Sequence, residues 1–189
     1  MRDADVLVFT ETWLSQNVTN ERVSLEGFQQ LRNDRSDGKG GVCMYVSDQM
    51  TCEPLNIATD LEQVSAIITD QEHQPVLVTG IYRSPKLPLN QFLPRLEDLL
   101  FMLLEHGISN IIIVGDFNED LLNNNRHPVC LTFNTYGFVQ TVHKSTTCYG
   151  SLLDHVYVKT QHFEHDSKVV PTYYSDHEAT KIVLKCTCE

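Results

Sequence analysis

The chain contains the run Ile111-Ile112-Ile113-Val114-Gly115-Asp116-Phe117-Asn118. Its four consecutive β-branched residues are typical of a strand buried on both faces, as in the centre of a layered α/β sheet. The run stops at a glycine and then presents the carboxylate of Asp116 and the carboxamide of Asn118. A rigid strand with polar groups at its tip is a common support for catalytic side chains. A simple turn is the alternative, since Gly, Asp and Asn are also the usual turn residues.

The composition predicts a single globular domain spanning residues 1–189. Hydrophobic residues make up 41% of the chain and charged residues 21%, both ordinary values for such a domain. There are 14 Lys and Arg residues against 25 Asp and Glu residues, which gives a net charge of −11. An acidic chain is poorly suited to non-specific capture of nucleic acid, which depends on cationic contacts to phosphates. A polyanionic substrate would therefore require a local basic patch or bound metal ions.

The cysteines and the apolar segments indicate the compartment. The six cysteines lack the paired spacing of a zinc site, and a chain of this size does not need disulfides, so we expect them to be reduced. The sequence shows no secretory signal and no apolar run long enough to cross a membrane. These features predict an intracellular protein, with the nucleus as one possible compartment.

Hydrophobic patterns predict an α/β protein rich in strands. Apolar segments predict strands at Val6–Phe9, Phe28–Leu31, Val42–Val46, Gln63–Thr69, Val76–Tyr82, Leu152–Val158 and Ala179–Cys186. Leucines at three- and four-residue spacing predict a helix over residues 89–104, with Pro94 in or near its first turn. Residues 161–172 are predicted to form a loop. Strand pairs mixed with strand–helix–strand units indicate mixed sheets packed face to face with helices outside.

Polar residues with catalytic chemistry are placed at or within these strands. The set consists of Glu11, Asp116, Asn118, Asp154, Asp176 and His177. Since strand ends converge in layered sheets, one site can collect all six. Carboxylates with an amide and no cysteine favour a hard divalent cation such as Mg²⁺. A histidine beside an aspartate can act as a general base or as a cationic phosphate contact, so the set predicts metal-assisted hydrolysis of a phosphate ester.

Several of these residues also have a purely structural interpretation. Glu11 alone is more often a solvated carboxylate at a strand end, and Tyr82-Arg83 is more often a packing residue followed by a surface charge. His155 competes with His177 for any histidine role. Because neighbours on a strand point to opposite faces, we expect His155 to lie away from Asp154 and to be structural.

Six short motifs occur in an order that matches a known superfamily. They are Thr10-Glu11-Thr12-Trp13-Leu14, Gly40-Gly41-Val42, Ile81-Tyr82-Arg83-Ser84-Pro85, Gly115-Asp116-Phe117-Asn118, Leu153-Asp154-His155 and Ser175-Asp176-His177. Together they resemble the endonuclease/exonuclease/phosphatase superfamily, which has the DNase-I-like fold. The first and third motifs are most similar to those of the endonuclease domain of LINE-type non-LTR retrotransposons. The resemblance implies a four-layered α/β sandwich that hydrolyses phosphodiesters with Mg²⁺ or Mn²⁺.

The resemblance also implies a role for each matching residue. Glu11 would be the main metal ligand, and Asp176 would join the metal site. Asp116 would activate or orient the attacking water or assist the leaving group. The phosphate would be contacted by Asn118 and Tyr82.

The resemblance also assigns a role to His177 and Asp154, and the sequence departs from the family pattern at two points. His177, oriented by Asp154, would be the general base or a phosphate-stabilising partner. Family members open with an asparagine-bearing strand and a helix, so the resemblance implies a domain that lacks this opening strand and helix. LINE-type domains also often carry a Thr-Arg pair, whose arginine is missing from the segment Lys144–Tyr149.

The leading prediction is a DNA-nicking endonuclease of retrotransposon origin that does not act at a membrane. A catalytically inactive relic or binding module of the same fold is one alternative, and a phosphatase of small phosphoesters is another. The sequence leaves the oligomeric state open. Six cations could discriminate between substrates, because their clustering at the site would favour a polyanion and their scattering a small substrate. They are Arg32, Arg35, Lys39, Arg83, Lys86 and Lys144.

Overall fold

The computed structural model describes residues 4–70, 74–124 and 126–186 of the chain. The strands are β1 (Val6–Thr10), β2 (Phe28–Asn33), β3 (Val42–Ser47), β4 (Thr51–Leu55), β5 (Glu62–Thr69), β6 (Val76–Tyr82), β7 (Ile111–Asp116), β8 (Val139–Gln140), β9 (Asp154–Lys159), β10 (Phe163–Val170) and β11 (Ala179–Cys186). The helices are α1 (Leu89–Glu105) and α2 (Pro128–Thr135), with a 3₁₀ turn at Asn20–Val23. The strand predicted from Ile111, the seven other predicted strands and the long predicted helix are therefore present.

The described strands form three sheets. The largest has six strands in the order β4-β5-β6-β7-β9-β8, and the others have the orders β1-β3-β2 and β10-β11. Strands β6 and β7 are parallel and are joined by α1, whereas the remaining pairs are antiparallel. The six-stranded sheet is thus the mixed one. In the three-stranded sheet, β1 is an edge strand.

The six-stranded sheet is covered on both faces. Alternate residues of β6 enter two hydrophobic clusters: Leu77 and Ile81 lie among side chains of α1 and α2, and Val78 and Tyr82 lie among side chains of the three-stranded sheet. Strand β11, from the two-stranded sheet, packs against β9 of the six-stranded sheet. The predicted layered α/β sandwich is confirmed, and both described α-helices lie on one outer face.

Two strands differ from the sequence prediction. The loop predicted over residues 161–172 is wrong, because β10 occupies most of it. Most residues of β10 are polar or exposed, and backbone pairing with β11 holds the strand, so no apolar alternation marks it. Strand β4 also lacked a signal. It is partly exposed, lies at the sheet edge and contains Pro54, which edge strands tolerate.

Two element boundaries also differ from the prediction. The strand predicted from Leu152 begins at Asp154, so this carboxylate is the first residue of β9 and does not interrupt a strand. Pro94 lies in the second turn of α1, because the helix begins at Leu89. Its side chain faces solvent, and the exposed Asn90 carbonyl that loses its helical donor can be hydrated there.

The described part of the chain contains free thiols and two α-helices. Cys43, Cys52, Cys130 and Cys148 are free thiols, and Cys188 lies outside the described residues. Neither described α-helix has the combination of length and apolar character that crossing a bilayer requires.

Gly115 is required where β7 passes β6. Its φ is +149°, and a Cβ there would lie 1.8 Å from the carbonyl oxygen of Ile81. We expect Gly115→Ala to lower the free energy of unfolding by about 3 kcal/mol or more, because the β6–β7 pairing has to move apart. Chemical denaturation measures this change.

Gly107→Ala is the matched control for this prediction. Gly107 also has a positive φ, +70°, but no atom lies within 4 Å of a Cβ built there. The control therefore reports the backbone conformation alone, which costs about 1 kcal/mol. Equal destabilisation of the two variants would contradict the steric explanation.

Candidate active site

Three candidate residues meet where β7 ends and β9 begins. Asp116 and Asp154 are direct partners in the β7–β9 register. The Nδ1 of His177 is 2.8 Å from Oδ2 of Asp154. One potential ligand atom from each of the three residues lies within 4.8 Å of the others. Residues distant in sequence are thus assembled by the pairing of two strands and by the segment that precedes β11.

Asp116 is a buried carboxylate with an elevated pKa. Burial, followed by the charge of Asp154, raises its pKa to about 7, against the opposing effect of its hydrogen bond with Asn118. The backbone N–H of Asn118 donates to Oδ1 of Asp116 at 2.9 Å. Asp116 can therefore exchange a proton near neutral pH in the metal-free protein.

His177 is held as a cation at neutral pH. Its hydrogen bond with Asp154 raises its pKa to about 9, despite the opposing effect of burial. The segment that carries it is fixed by a bridge between Thr147 and His177. A positively charged imidazole beside the buried Asp116 and the partly buried Asp154 is suited to contact an anion.

Asn118 holds the end of β7 in place. Its Nδ2 donates to the Arg83 carbonyl at 2.9 Å and to Oδ2 of Asp116 at 3.3 Å. Its φ is +50°, a strained region for a residue with a side chain. Such strain is often stored at functional sites, and here it directs the amide toward Asp116.

Glu11 and Tyr82 form a second pair at the same site. The phenol of Tyr82 donates to Oε1 of Glu11. Burial and this hydrogen bond raise the pKa of Tyr82 well above its usual value, so the phenol stays protonated. The charge of Glu11 also contributes to the raised pKa of Asp116, which places the two carboxylates in one electrostatic environment. Glu11 has a φ of +49°, a second strained residue at the site.

Asp176 is the candidate that is least integrated into the cluster. It is exposed, and its carbonyl accepts from the backbone N–H of Cys148 at 3.0 Å. Its charge contributes to the raised pKa of His177. The structure therefore places Asp176 beside the histidine, while its carboxylate is outside the three-residue group.

The sequence decides the family to which this arrangement belongs. Residues 1–177 match the profile of the Endonuclease/Exonuclease/phosphatase family. The chain belongs to this family. Comparison with curated protein sequences gives no match.

Solved structures share the fold of the endonuclease/exonuclease/phosphatase family at low identity. The catalytic domain of APE2 from Xenopus laevis is 18% identical, with a TM-score of 0.73 over 98% of this chain and 84% of that one. The endonuclease domain of TRAS1, a telomere-specific non-LTR retrotransposon, is 15% identical, with a TM-score of 0.71 over 100% and 88%. A mannosyl-6-phosphatase from Bacteroides thetaiotaomicron is 16% identical, with a TM-score of 0.72 over 97% and 86%.

The donor set at the site fits the divalent cation that the family generally uses. Asp116 and Asp154 offer hard carboxylate oxygens within the cluster, Glu11 and the exposed Asp176 offer further ones near it, and no described cysteine lies among the clustered ligand atoms. The repulsion between Asp116 and Asp154 contributes to the raised pKa of Asp116, and a cation would relieve it. Oxygen donors favour Mg²⁺ or Mn²⁺ over softer metals.

Arg83 corrects one expectation, because it is not a surface charge. Its side chain is buried, 2.8 Å from Oε1 of Glu119, and it donates to the carbonyl of Phe117 at 3.0 Å. The tip of β7 folds over it, which the sequence could not indicate because the contacts are more than thirty residues apart. Arg83 therefore stabilises the loop that carries Asn118.

Replacing Arg83 with Met is expected to lower the free energy of unfolding by about 3 kcal/mol. The change leaves the partly buried Glu119 with His127 as its remaining partner and removes the hydrogen bonds of Arg83 to the Phe117 and Asn118 carbonyls. Urea denaturation measures the effect, and Lys86→Met is the matched control because Lys86 is exposed beside the same strand end. Equal stability of the two variants would show that Arg83 does not support the loop.

Two further residues position the site and were missed from the sequence. The hydroxyl of Thr146 accepts from the backbone N–H groups of Leu153 at 3.0 Å and Asp154 at 3.1 Å. Glu62 is paired with Tyr82 across β5 and β6, and its Oε2 accepts from the backbone N–H of Gly41 at 2.7 Å. Neither residue lies in one of the six motifs, and each acts on a backbone segment other than its own. No local signal therefore identified them.

His155 lies as the strand alternation predicted, away from Asp154. Its ring is buried and stacks on Phe117 with centroids 4.7 Å apart. Its Nε2 is 2.9 Å from the Glu119 carbonyl, and burial lowers its pKa to about 4. His155 is thus a neutral core residue.

Three of the six cations that could attract a polyanion are already paired with carboxylates. Arg32 pairs with Asp34, Arg35 with Asp37 and Glu62, and Arg83 with Glu119. Their positive charge is largely neutralised within the protein. The attraction of this chain for phosphate is therefore weaker than its count of basic residues suggests.

Proposed function

We propose that this chain is a metal-dependent phosphodiesterase, specifically a DNA-nicking endonuclease of retrotransposon origin, folded as a single domain over residues 1–189. The observation that carries the proposal is the cluster of Asp116, Asp154 and His177 beside the Glu11–Tyr82 pair. The motif Thr10–Leu14 and the shared fold of the TRAS1 endonuclease domain support the choice of DNA as substrate.

The proposed ligands of Mg²⁺ or Mn²⁺ are Glu11 and Asp176, next to Asp116. Such a cation supplies positive charge that polarises a phosphoryl oxygen and offsets the charge that develops during cleavage. The phenol of Tyr82 stays protonated and donates its hydrogen bond to the carboxylate of Glu11. Tyr82 therefore acts as a residue that positions Glu11.

The protein groups divide the proton and charge chemistry between them. Asp116, whose pKa is raised by burial and by Asp154 in the metal-free protein, accepts the proton of the attacking water. His177, with a pKa of about 9, donates a charged hydrogen bond to the phosphate, and Asp154 orients it. This division favours the phosphate-stabilising role of His177 over the general-base role. Asn118 keeps Asp116 aligned with the strand tip.

A phosphatase of small phosphoesters is the second candidate. The pairing of Arg32, Arg35 and Arg83 with carboxylates favours it, because a small substrate needs fewer phosphate contacts than a strand of DNA. The shared fold of the mannosyl-6-phosphatase is compatible with the same chemistry. A binding module without activity is the remaining alternative.

Parallel assays of diester and monoester cleavage separate these functions. The purified protein with Mg²⁺ or Mn²⁺ is given a fluorescent DNA oligonucleotide and, separately, mannose 6-phosphate with detection of released phosphate. We expect strand cleavage without phosphate release. Phosphate release without strand cleavage would establish the phosphatase, and binding of metal with neither activity would establish the inactive module.

A further inference from the structure

The most exposed large hydrophobic side chains are four aromatic residues on loops beside the candidate active site. Among the described residues, Tyr173 is 96% exposed, Tyr174 85%, Tyr149 81% and Trp13 62%, and every other exposed large hydrophobic residue has a lower value. We call these four residues the aromatic rim. Single exposed aromatics are ordinary, but the four most exposed ones all lie on segments that adjoin Glu11 or His177.

Trp13 lies in the turn that follows β1 and contains Glu11. It follows this carboxylate by two residues, and its backbone N–H donates to the carbonyl of Gly40 at 2.9 Å. Its φ is +54°, so the segment holds a strained conformation. The exposed indole is therefore presented by an ordered turn next to a candidate metal ligand.

The three tyrosines are presented by segments that carry His177. Tyr173 and Tyr174 come directly before Ser175-Asp176-His177. Tyr149 follows Cys148, whose backbone N–H donates to the carbonyl of Asp176 at 3.0 Å. The segment with Tyr149 and the segment with Tyr173 and Tyr174 are thus hydrogen-bonded to each other beside the catalytic histidine.

The aromatic rim is chemically suited to unpaired bases. None of its rings stacks on another aromatic ring of the described residues, so their faces are available. Every nucleobase has a π-face that can stack on Tyr or Trp. The residues that follow the tyrosines in sequence, Gly150 and Ser175, carry no aliphatic side chain, unlike the centre of a protein interface.

Because the protein is acidic, we expect stacking on these rings to contribute much of its affinity for a strand. The chain has a net charge of −11, and Arg32, Arg35 and Arg83 are paired internally. Phosphate contacts alone therefore give little affinity for a strand. Stacking needs no cation and is much less sensitive to salt.

We propose that the aromatic rim, consisting of Trp13, Tyr149, Tyr173 and Tyr174, stacks on unpaired bases of the strand that is cut. This inference rests on the proposed phosphodiesterase function and specifies its substrate class as single-stranded or locally opened nucleic acid. Duplex DNA in which every base is stacked is a poorer ligand. The strand enters across the loops that carry Glu11 and His177.

The fluorescence of Trp13 tests this proposal directly, because the chain contains one tryptophan. The full chain, in EDTA to prevent cleavage, is titrated with an oligothymidylate of about 12 nucleotides. An abasic oligonucleotide of the same length has the same phosphates without the bases. We expect quenching by the first and little by the second, with a Kd that changes only a few-fold between about 50 and 200 mM salt. Oligouridylate and duplex arms distinguish RNA from DNA and unpaired from paired bases.

Variants assign the binding to the rings. The double change Tyr173→Ala with Tyr174→Ala is expected to raise the Kd about 10-fold or more, and the corresponding Phe variants are expected to keep wild-type affinity. Phe101→Ala is the matched control, since Phe101 is an exposed aromatic on α1, away from the rim. Equal affinity for the abasic strand, or no effect of the Ala changes, would overturn the proposal and leave the rim as a surface for another partner.

A parallel assay of strand cleavage keeps the two proposals separable. Cleavage without base-dependent quenching would leave the phosphodiesterase standing and overturn the stacking surface. Base-dependent quenching without cleavage would support the stacking surface and contradict the phosphodiesterase.

Discussion

Asp116→Asn is expected to reduce strand cleavage by at least about 10³-fold while making the metal-free protein more stable. The amide keeps the shape of the carboxylate but cannot accept a proton from water, and it removes one negative charge from the cation site. The gain in stability has the opposite origin. Asp116 is buried beside Asp154, so its ionised form is unfavourable in the folded state.

The pH dependence of this gain follows from the direction of the pKa shift. The pKa of Asp116 is raised from 3.8 to about 7 on folding. The folded state therefore binds the extra proton between these values, and its stability falls as pH rises through this range. Well above pH 7, where Asp116 is fully ionised, the wild type carries the full cost of the buried charge. We expect Asp116→Asn to be more stable there by about 2–4 kcal/mol.

Two measurements and one control test the prediction. Chemical denaturation in EDTA at alkaline pH gives the free energy of unfolding, and a nicking assay with Mg²⁺ gives the activity. Asp166→Asn makes the same substitution at an exposed position of β10 and is expected to change neither. A less stable or still active Asp116→Asn variant would contradict the assignment.

His177→Ala is expected to lower the cleavage rate by about 10²–10³-fold and to alter the pH dependence of stability. The pKa of His177 is raised from 6.5 to about 9 on folding, chiefly by its hydrogen bond with Asp154. The stabilisation from this shift is fully present below 6.5 and is lost as pH rises through about 9. Removing the imidazole removes this loss.

Between about pH 8 and pH 9 the change in stability comes chiefly from His177, because Asp116, with a pKa of about 7, is already mostly ionised at pH 8. We expect the stability of the metal-free wild type to fall across this window and that of His177→Ala to fall less steeply, with a remaining slope from Asp116, whose pKa the charge of His177 lowers. His165→Ala, at an exposed position of β10, is the control and should follow the wild type. A parallel decline in His177→Ala and the wild type would show that the Asp154 hydrogen bond does not hold the imidazole charged.

The sequence predicted the central elements because they depend on local patterns. The β-branched run of β7 identified a buried strand, and its Gly-Asp-Phe-Asn tip identified Asp116 and Asn118. The order of the motifs then linked these residues to Asp154 and His177, which the structure brings together. Alternation along β9 likewise separated the core residue His155 from Asp154.

Residues that act across long stretches of chain could not be predicted. Arg83 follows a strand and looked like a surface charge, but the tip of β7 buries it against Glu119. Thr146 and Glu62 support the site by accepting hydrogen bonds from backbone N–H groups of other segments, and no spacing rule marks such contacts. Strand β10 was missed for a related reason, since its backbone pairing with β11 leaves most of its side chains exposed.

Nicking of supercoiled plasmid DNA tests the central claim most directly, namely that the Asp116–Asp154–His177 cluster cleaves phosphodiesters with a divalent cation. The purified chain is incubated with Mg²⁺ or Mn²⁺, beside an EDTA sample and the Asp116→Asn variant. The account predicts conversion of supercoiled to relaxed plasmid by the wild type with metal only, and none by the variant. Nicking that survives EDTA or Asp116→Asn, or a folded wild type that never nicks in either metal, would contradict it.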